Sequence, residues 1–269
     1  MIWPCLDARE REILEQVRRS GFVGIDELAQ RFDVTPQTIR RCVNQLSEQG
    51  LLRRVHGGVD LPSPAGNLPY QRRQILNLEA KRRIASAVAA FIPAGASVSL
   101  GIGTTPEQVA FALRHHTQLR VITNSLNVAN AVAGCPGIEL TIAGGTLRAS
   151  DLDVVGSAAV NCFAAYKTDF AVFGVGGIDR DGTLLDFDAD EVSTRLAMAT
   201  HCRSTLLVAD VSKFGRRAVA RGGRLTDADH LFIDAPVPAD YLEALGEHRP
   251  VVHVADEQVE PVFPAASCA

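Results

Sequence analysis

Two hydrophobic periods divide this chain. Up to about residue 60, apolar residues recur at helical spacing: Ile13, Leu14 and Val17, then Leu28, Ala29 and Phe32, then Ile39, Val43 and Leu46. Beyond about residue 80, short apolar runs bounded by glycine alternate with amphipathic stretches. The runs are 97–100, 119–123, 138–143, 170–175, 205–209 and 231–233. Helical patterns lie between them at 80–91, 105–116, 125–134, 156–165 and 189–202. Strands alternating with helices imply parallel β-α-β units and an open sheet covered on both faces. The predicted fold class is α/β: a small helical module, then a doubly wound α/β domain.

Between the two patterns, residues 61–70 hold three prolines and one glycine. Proline fixes φ and removes a backbone donor, so an extended linker is expected over 62–75. The helical module then occupies 6–61 and the α/β domain 76–254. The Pro/Ala-rich end, 255–269, is expected to be a loose tail.

In the first module, Gly21 stops the opening helix and Asp26 is the expected N-cap of the second. A third helix starts at Thr35-Pro36, with Thr35 as cap and Pro36 at the first helical position. Ile39, Val43 and Leu46 must face inward. That leaves Gln37, Thr38, Arg40, Arg41, Asn44 and Gln45 on or near the outer face, side chains suited to base edges in a major groove. The pair of helices forms a helix-turn-helix over about 23–42. Directly after it, two short apolar runs flank His56-Gly57-Gly58, a hairpin pattern with Arg53 and Arg54 placed to grip phosphates or a minor groove. The expected DNA-contacting residues are Thr35, Gln37, Thr38, Arg40, Arg41, Asn44, Arg53, Arg54, His56 and Gly57. The competing reading is a helical interaction module with an ordinary hairpin.

Composition sharpens this picture in places. With 269 residues, 46% hydrophobic and 22% charged, the chain is globular rather than disordered. No apolar run approaches the ~20 residues of a membrane span, and no secretory signal pattern opens the chain. Six scattered cysteines, without a CxxC pair or clustered histidines, predict reduced thiols, a cytoplasmic location, no metal site and no cofactor. The net charge of −4 is uneven: residues 1–83 carry 14 basic and 10 acidic side chains, residues 84–269 carry 13 and 21. A basic module on an acidic body suits a protein that touches phosphate with one end only.

In parallel sheets ligands sit beyond the carboxyl ends of the strands, so the polar residues there are the candidate small-molecule site. Gly103-Thr104-Thr105 follows the first strand and opens a helix, a place where backbone N–H groups and hydroxyls hold a phosphate. It lacks the Lys-Ser/Thr of a nucleotide-hydrolysing loop. Other strand ends add Thr123, Asn124, Gly144, Gly145, Arg148, Asp186, Glu191 and Lys213. Arg148 and Lys213 supply positive charge, while Asp186 and Glu191 are acceptors for sugar hydroxyls. Each singly is also explained by turn chemistry or surface charge.

The stretch Arg9 to Leu61, above all Phe32-Asp33-Val34-Thr35, Thr38-Ile39-Arg40-Arg41 and Gly50-Leu51-Leu52-Arg53-Arg54-Val55-His56-Gly57-Gly58, closely resembles the winged helix-turn-helix of DeoR-family repressors. One departure stands out: the family usually has Asp where this chain has Cys42. That is either a neutral replacement that loses a helix-surface or ion-pair contact, or a change that alters operator affinity or puts a thiol beside the DNA face. From about Lys81 to Pro236 the chain resembles the DeoR-family sensor domain, whose fold is similar to sugar-phosphate isomerases. The matching motifs are Gly-Thr-Thr at 103–105, Thr-Asn at 123–124, Gly-Gly at 144–145, Gly-Gly-Ile-Asp at 176–179 and Asp-x-Ser-Lys-Phe-Gly at 210–215. Narrower motifs at 103–107, 126–130, 181–188 and 212–216 are similar to the branch of the family tied to glycerol 3-phosphate. Gly101, Ala189 and Val211 depart from that branch, which has Asp, an aromatic residue and His there.

The resemblance implies a cytoplasmic transcriptional repressor of a carbon-catabolic operon. Its implied partners are double-stranded operator DNA, a phosphorylated effector led by glycerol 3-phosphate, and further copies of itself. It implies no catalytic residue. An activator remains an alternative, because the sign of regulation depends on operator position. A sugar-phosphate isomerase-like enzyme with an appended helical module is the rival from another class, with Asp186, Glu191 and Lys213 as its only nameable catalytic groups.

Overall fold

The computed structural model describes residues 6–20, 23–49, 51–55, 58–60, 67–246 and 249–255. The chain divides into two compact units, Met1–Leu68 and Pro69–Ala269.

The first unit runs α1 (Ala8–Ser20), β1 (Val23–Gly24), α2 (Ile25–Arg31), α3 (Pro36–Glu48), β2 (Arg53–Val55) and β3 (Gly58–Asp60). A reciprocal cap opens α1: Glu10 N–H donates to Asp7 Oδ1 at 2.7 Å, and Asp7 N–H to Glu10 Oε2 at 3.0 Å. Thr35 caps α3, its Oγ1 accepting from Thr38 N–H at 3.3 Å, and Pro36 fills the first position. Helix α2, in contrast, starts two residues earlier than expected. Gly24 is its N-cap and Asp26 lies in its first turn, because β1 pairs with β3 (Gly24 opposite Gly58) and fixes where the helix begins. The three strands form a sheet in the order β1-β3-β2. Ile13, Val17, Leu28, Ile39, Val43, Leu46, Leu51, Leu52 and Val59 make its core, each at most 2% exposed.

The second unit opens with α4 (Tyr70–Ile75), α5 (Leu78–Phe91), β4 (Ser97–Leu100), α6 (Thr104–Leu113), β5 (Leu119–Thr123), α7 (Leu126–Val132) and β6 (Ile138–Ile142). It continues with β7 (Leu147–Arg148), β8 (Asp153–Val154), α8 (Ser157–Ala164), β9 (Thr168–Phe173), β10 (Gly177–Ile178), β11 (Thr183–Asp186), α9 (Ala189–Thr200) and β12 (Cys202–Val208). A 3-10 turn (Val211–Lys213), β13 (Ala220–Arg224), β14 (His230–Ile233), α10 (Ala239–Leu245) and β15 (Val251–Val254) complete it. Seven strands pair in parallel in the order β15-β14-β12-β9-β4-β5-β6. One face is covered by α5, α6 and α7, whose Ile84, Val88, Val109, Leu113 and Val128 pack on Val98, Val121 and Val172. The other carries Phe163 of α8 and Met198 of α9 against Ile122 and Ala171. The sheet is doubly wound. Its strand order reverses between β4 and β9, which places the switch-point crevice beside the Gly101–Gly103 and Gly174 loops.

Four expectations change. Residues 70–75, expected in the linker, are helix α4 and belong to the second unit. Proline at 69 suits the residue before a helix as well as a linker, which the composition of 61–70 hides. That boundary also removes the basic module: Met1–Leu68 holds nine basic and nine acidic side chains, and Pro69–Ala269 holds 18 and 22. Arg72, Arg73, Lys81, Arg82 and Arg83 had supplied the apparent excess. A seventh parallel strand, β15, and a second sheet, β10-β11-β13, had no expected counterpart. Finally, Ala255 is not loose: it is 5% exposed and donates to Ile233 O at 2.7 Å. The remainder of the expected tail lies outside the described residues. No described helix is long and apolar enough to cross a membrane, and no described group of three His, Cys, Asp or Glu is placed to hold a metal.

Candidate functional site

The first unit places its polar residues as a stripe. Gln37, Arg40, Arg41 and Asn44 stand at i, i+3, i+4 and i+7 of α3 and are exposed, with Gln45 beside them. Ile39, Cys42, Val43 and Leu46 are the opposite, buried face. Thr35 and Thr38 are joined to each other, Oγ1 to Oγ1 at 3.0 Å, so both hydroxyls serve the helix start. Arg53 and Arg54 are exposed on β2. His56 and Gly57 lie outside the described residues. Cys42 is 8% exposed, and its thiol is pushed up by burial and by Asp7 and Glu10, with Arg9 opposing. The thiol lies on the inner face of α3, not in its exposed polar stripe, so the structure does not place it beside the residues expected to contact DNA.

In the second unit, the Gly103 loop sits at the switch point. Gly103 has φ +117°, open to glycine and strained for other residues, and caps α6 without any side-chain acceptor. Thr104 and Thr105 are 7% and 4% exposed, and their hydroxyls make no hydrogen bond to another described residue. The first turn of α6 thus offers unfilled N–H groups and two hydroxyls to whatever occupies the crevice.

Around this turn lie four cations. Lys81 of α5, 3% exposed, donates from Nζ to the main-chain oxygen of Arg73. Burial and the neighbouring Lys213 and Arg73 pull its pKa down to about 7, against the favourable charges of Asp210 and Glu107. Lys213 makes no side-chain hydrogen bond or ion pair among the described residues. Burial lowers it to about 8, Asp210 opposing, with Arg216 and Arg73 lowering it further. Arg216 lies over the Phe187 ring at 4.9 Å and is lowered by burial and by Arg73. Arg73 is paired with Asp151 and stacks on Tyr70 at 5.1 Å. Asp210 is the carboxylate that acts on Lys81, Lys213 and Arg216 alike, while Glu107 acts on Lys81, Asp186 on Lys213 and Arg216, and Asp151 on Arg73. Burial pulls Asp210 upward, but Lys213, Ser212, Lys81 and Asn77 outweigh that and hold it below the usual range. Asn77 donates to it at 2.8 Å.

Arg148 differs from its expected role. It donates to Asp153 at 2.7 and 3.0 Å, to Asp188 at 2.9 Å and to Glu191 at 2.6 Å. Asp153 and Glu191 raise its pKa against the effect of burial. It is a tie between β7, β8 and α9 rather than a free positive charge. Burial in turn pushes Glu191 up, with Arg148 opposing. Asp186 is likewise engaged: 7% exposed, it accepts from Arg195 at 3.0 and 3.1 Å and from Gly176 N–H at 2.7 Å. Thr123 is fully buried, its Oγ1 closing a turn on Ser125 N–H at 3.0 Å. Asn124 donates to Val154 O at 2.7 Å and ties β5 to β8. Gly144 and Gly145 are exposed, and a Cβ on Gly145 (φ +141°) would lie 2.7 Å from Val154 Cγ1.

The structure therefore gathers Gly103, Thr104, Thr105 and Lys213 at one crevice and turns Thr123, Asn124 and Asp186 to structural work. It adds Arg73, Lys81 and Arg216, which sequence reasoning did not select. The doublet Arg72-Arg73 falls in the stretch expected to be linker, and the signal for Arg216 is its place three residues after Lys213.

Both halves of the chain match known families. Residues 9–65 match a model described as the DeoR-like helix-turn-helix domain, and residues 76–235 one described as the DeoR C terminal sensor domain. The glycerol-3-phosphate regulon repressor of Escherichia coli is 43% identical over 241 residues, covering 90% of this chain and 96% of its own. The repressor of the same description from Haemophilus influenzae is 44% identical over 242 residues, covering 90% and 94%. Among solved structures, ribose 5-phosphate isomerase A from Methanocaldococcus jannaschii aligns over 51% of this chain and 55% of its own, at 15% identity and TM-score 0.38. With both units matched in order and nine-tenths of its length aligned to these repressors, the chain belongs to the DeoR family.

Proposed function

We propose that this protein is a transcriptional repressor that binds operator DNA through the outer stripe of α3 and lets go when a small phosphorylated polyol, glycerol 3-phosphate, fills the crevice at the Gly103 loop. The observation that carries the reading is a cluster of buried cations at the carboxyl ends of the strands. Lys81 and Lys213 are lowered by burial and by neighbouring positive charge, Lys213 has no side-chain partner among the described residues, and α6 opens nearby with two unengaged threonine hydroxyls. The names of the two aligned repressors point to the same effector. Both are regulators along nearly their whole length, which disfavours an enzyme. Asp186, a catalytic candidate of that rival, is held by Arg195.

Repression of this kind needs more contacts than one small module offers, so a cytoplasmic homo-oligomer on repeated half-sites is part of the proposal. The effector must bind the weaker DNA-binding arrangement better. An ~100-fold fall in operator affinity corresponds to about 2.7 kcal/mol of coupling. Lys213→Ala tests the reading: it keeps operator affinity yet loses release by glycerol 3-phosphate. A fully inducible Lys213→Ala protein removes the crevice from the account.

A further inference from the structure

The crevice of the second unit has two electrostatic halves that meet at Arg73. On one side stand Lys81, Lys213 and Arg216, each of which feels Arg73 as a like charge. On the other side Arg73 feels Glu191 and Asp153 as favourable charges and Arg148 as an unfavourable one. That second half is acidic: Asp153, Asp188 and Glu191 share the single guanidinium of Arg148. Its hydrogen-bonding capacity is nearly spent. Arg148 uses Nε once, Nη1 once and Nη2 twice, which leaves one N–H of its five. Asp153 is occupied at both oxygens, and Asp188 Oδ1 accepts from Asp190 N–H at 2.8 Å. Glu191 Oε1 takes Arg148, and its Oε2 has no hydrogen-bond partner among the described residues. One unused acceptor, Glu191 Oε2, and one unused donor, on Arg148 Nη1, match a hydroxyl group, which both donates and accepts.

We propose that this acidic half selects the end of the effector remote from the phosphate, accepting a neutral hydroxyl and rejecting a carboxylate, with Glu191 as the specificity-determining residue. The proposal rests on the reading of the cationic half as the phosphate site. A carboxylate offers acceptors only, cannot satisfy Glu191 Oε2, and meets three carboxylates that already share Arg148. Rejection here is by unpaired, like charge rather than by shape. The ligand class is a phosphate monoester whose other end is an alcohol.

Calorimetric titration of the full chain with glycerol 3-phosphate and with glycerate 3-phosphate, a close analogue ending in a carboxylate, tests this. The wild type is expected to prefer the alcohol by about 30-fold or more, the scale of like-charge rejection in a half-buried site. Glu191→Gln keeps the volume and removes the charge. It is expected to narrow that preference at least about fivefold, chiefly because the carboxylate ligand gains. Equal affinities in the wild type, or an unchanged ratio in a Glu191→Gln protein that still binds glycerol 3-phosphate, would overturn the proposal. Asp188→Asn repeats the test if Glu191→Gln does not fold. Failure of the underlying phosphate reading looks different: Lys213→Ala would then leave both affinities untouched.

Discussion

Lys81 donates its ammonium to the main-chain oxygen of Arg73, eight residues earlier, from a side chain that is 3% exposed. The contact pins α5 to α4 and buries a cation among cations. With Lys81 lowered to about 7 and Lys213 to about 8, both lose protons as the pH rises from neutrality. A bound phosphate dianion favours their charged forms, so effector binding is expected to take up protons and to weaken between pH 7 and 9. Titration heats measured at pH 8 in buffers of different ionisation enthalpy check this. Heats independent of the buffer contradict it.

The same lysines set the pH dependence of the unliganded fold. Their folded pKa values lie below the ordinary 10.5, so between about 7 and 10.5 the unfolded chain holds more protons than the folded one. Their contribution to stability rises with pH across that window. Urea midpoints of wild type and Lys81→Met at pH 7 and 9 measure it: Lys81→Met should show the smaller gain.

Asp186 and Arg195 are 7% exposed each and pair at 3.0 Å, and Arg195 also donates to Gly222 O at 2.8 Å. Removing one member leaves the other buried and unpaired. Arg195→Ala is expected to cost about 3–5 kcal/mol of stability. A midpoint shift worth less than about 1 kcal/mol contradicts the buried pair. Glu191→Gln, in contrast, is expected to cost less, because the amide oxygen still accepts from Arg148 and that guanidinium keeps Asp153 and Asp188.

On α3, Arg40→Ala and Arg41→Ala should each weaken operator binding by ~1–3 kcal/mol if they read bases, and weaken all sequences alike if they hold phosphate. Their thermal midpoints should match the wild type, since both side chains are exposed. An Arg40/Arg41 double variant that binds operator like the wild type removes α3 from the interface.

Thr35 separates a folding role from a binding role. As the cap of α3, Thr35→Ala should lower stability by ~1 kcal/mol, while Thr35→Ser, which keeps the hydroxyl, should retain most of it. Equal losses in the two variants contradict the cap.

The parts of this fold that depend on neighbours in sequence were legible from it. Thr35-Pro36 marks the start of α3 by local chemistry, and Ile39, Val43 and Leu46 give its inward face by spacing alone. The glycine-bounded runs likewise gave six of the seven parallel strands, because strands buried on both faces are continuously apolar. The parts that depend on distant neighbours were hidden. Arg148 looked like a free phosphate ligand until β8 and α9 brought Asp153, Asp188 and Glu191 to it. Asp186 looked available until Arg195 arrived from the next helix. Arg73 fell in the expected linker because Pro-rich composition concealed the start of α4. Charge patterning along a sequence says which residues are cationic, and only the fold says which of them already have partners.

The most direct test of the central claim is the fluorescence anisotropy of labelled operator DNA bound to the full chain, followed as glycerol 3-phosphate is added at fixed salt. The account predicts tight binding without effector and an ~100-fold loss of affinity at saturation, about 2.7 kcal/mol. Operator affinity that does not change at any concentration of glycerol 3-phosphate would contradict it.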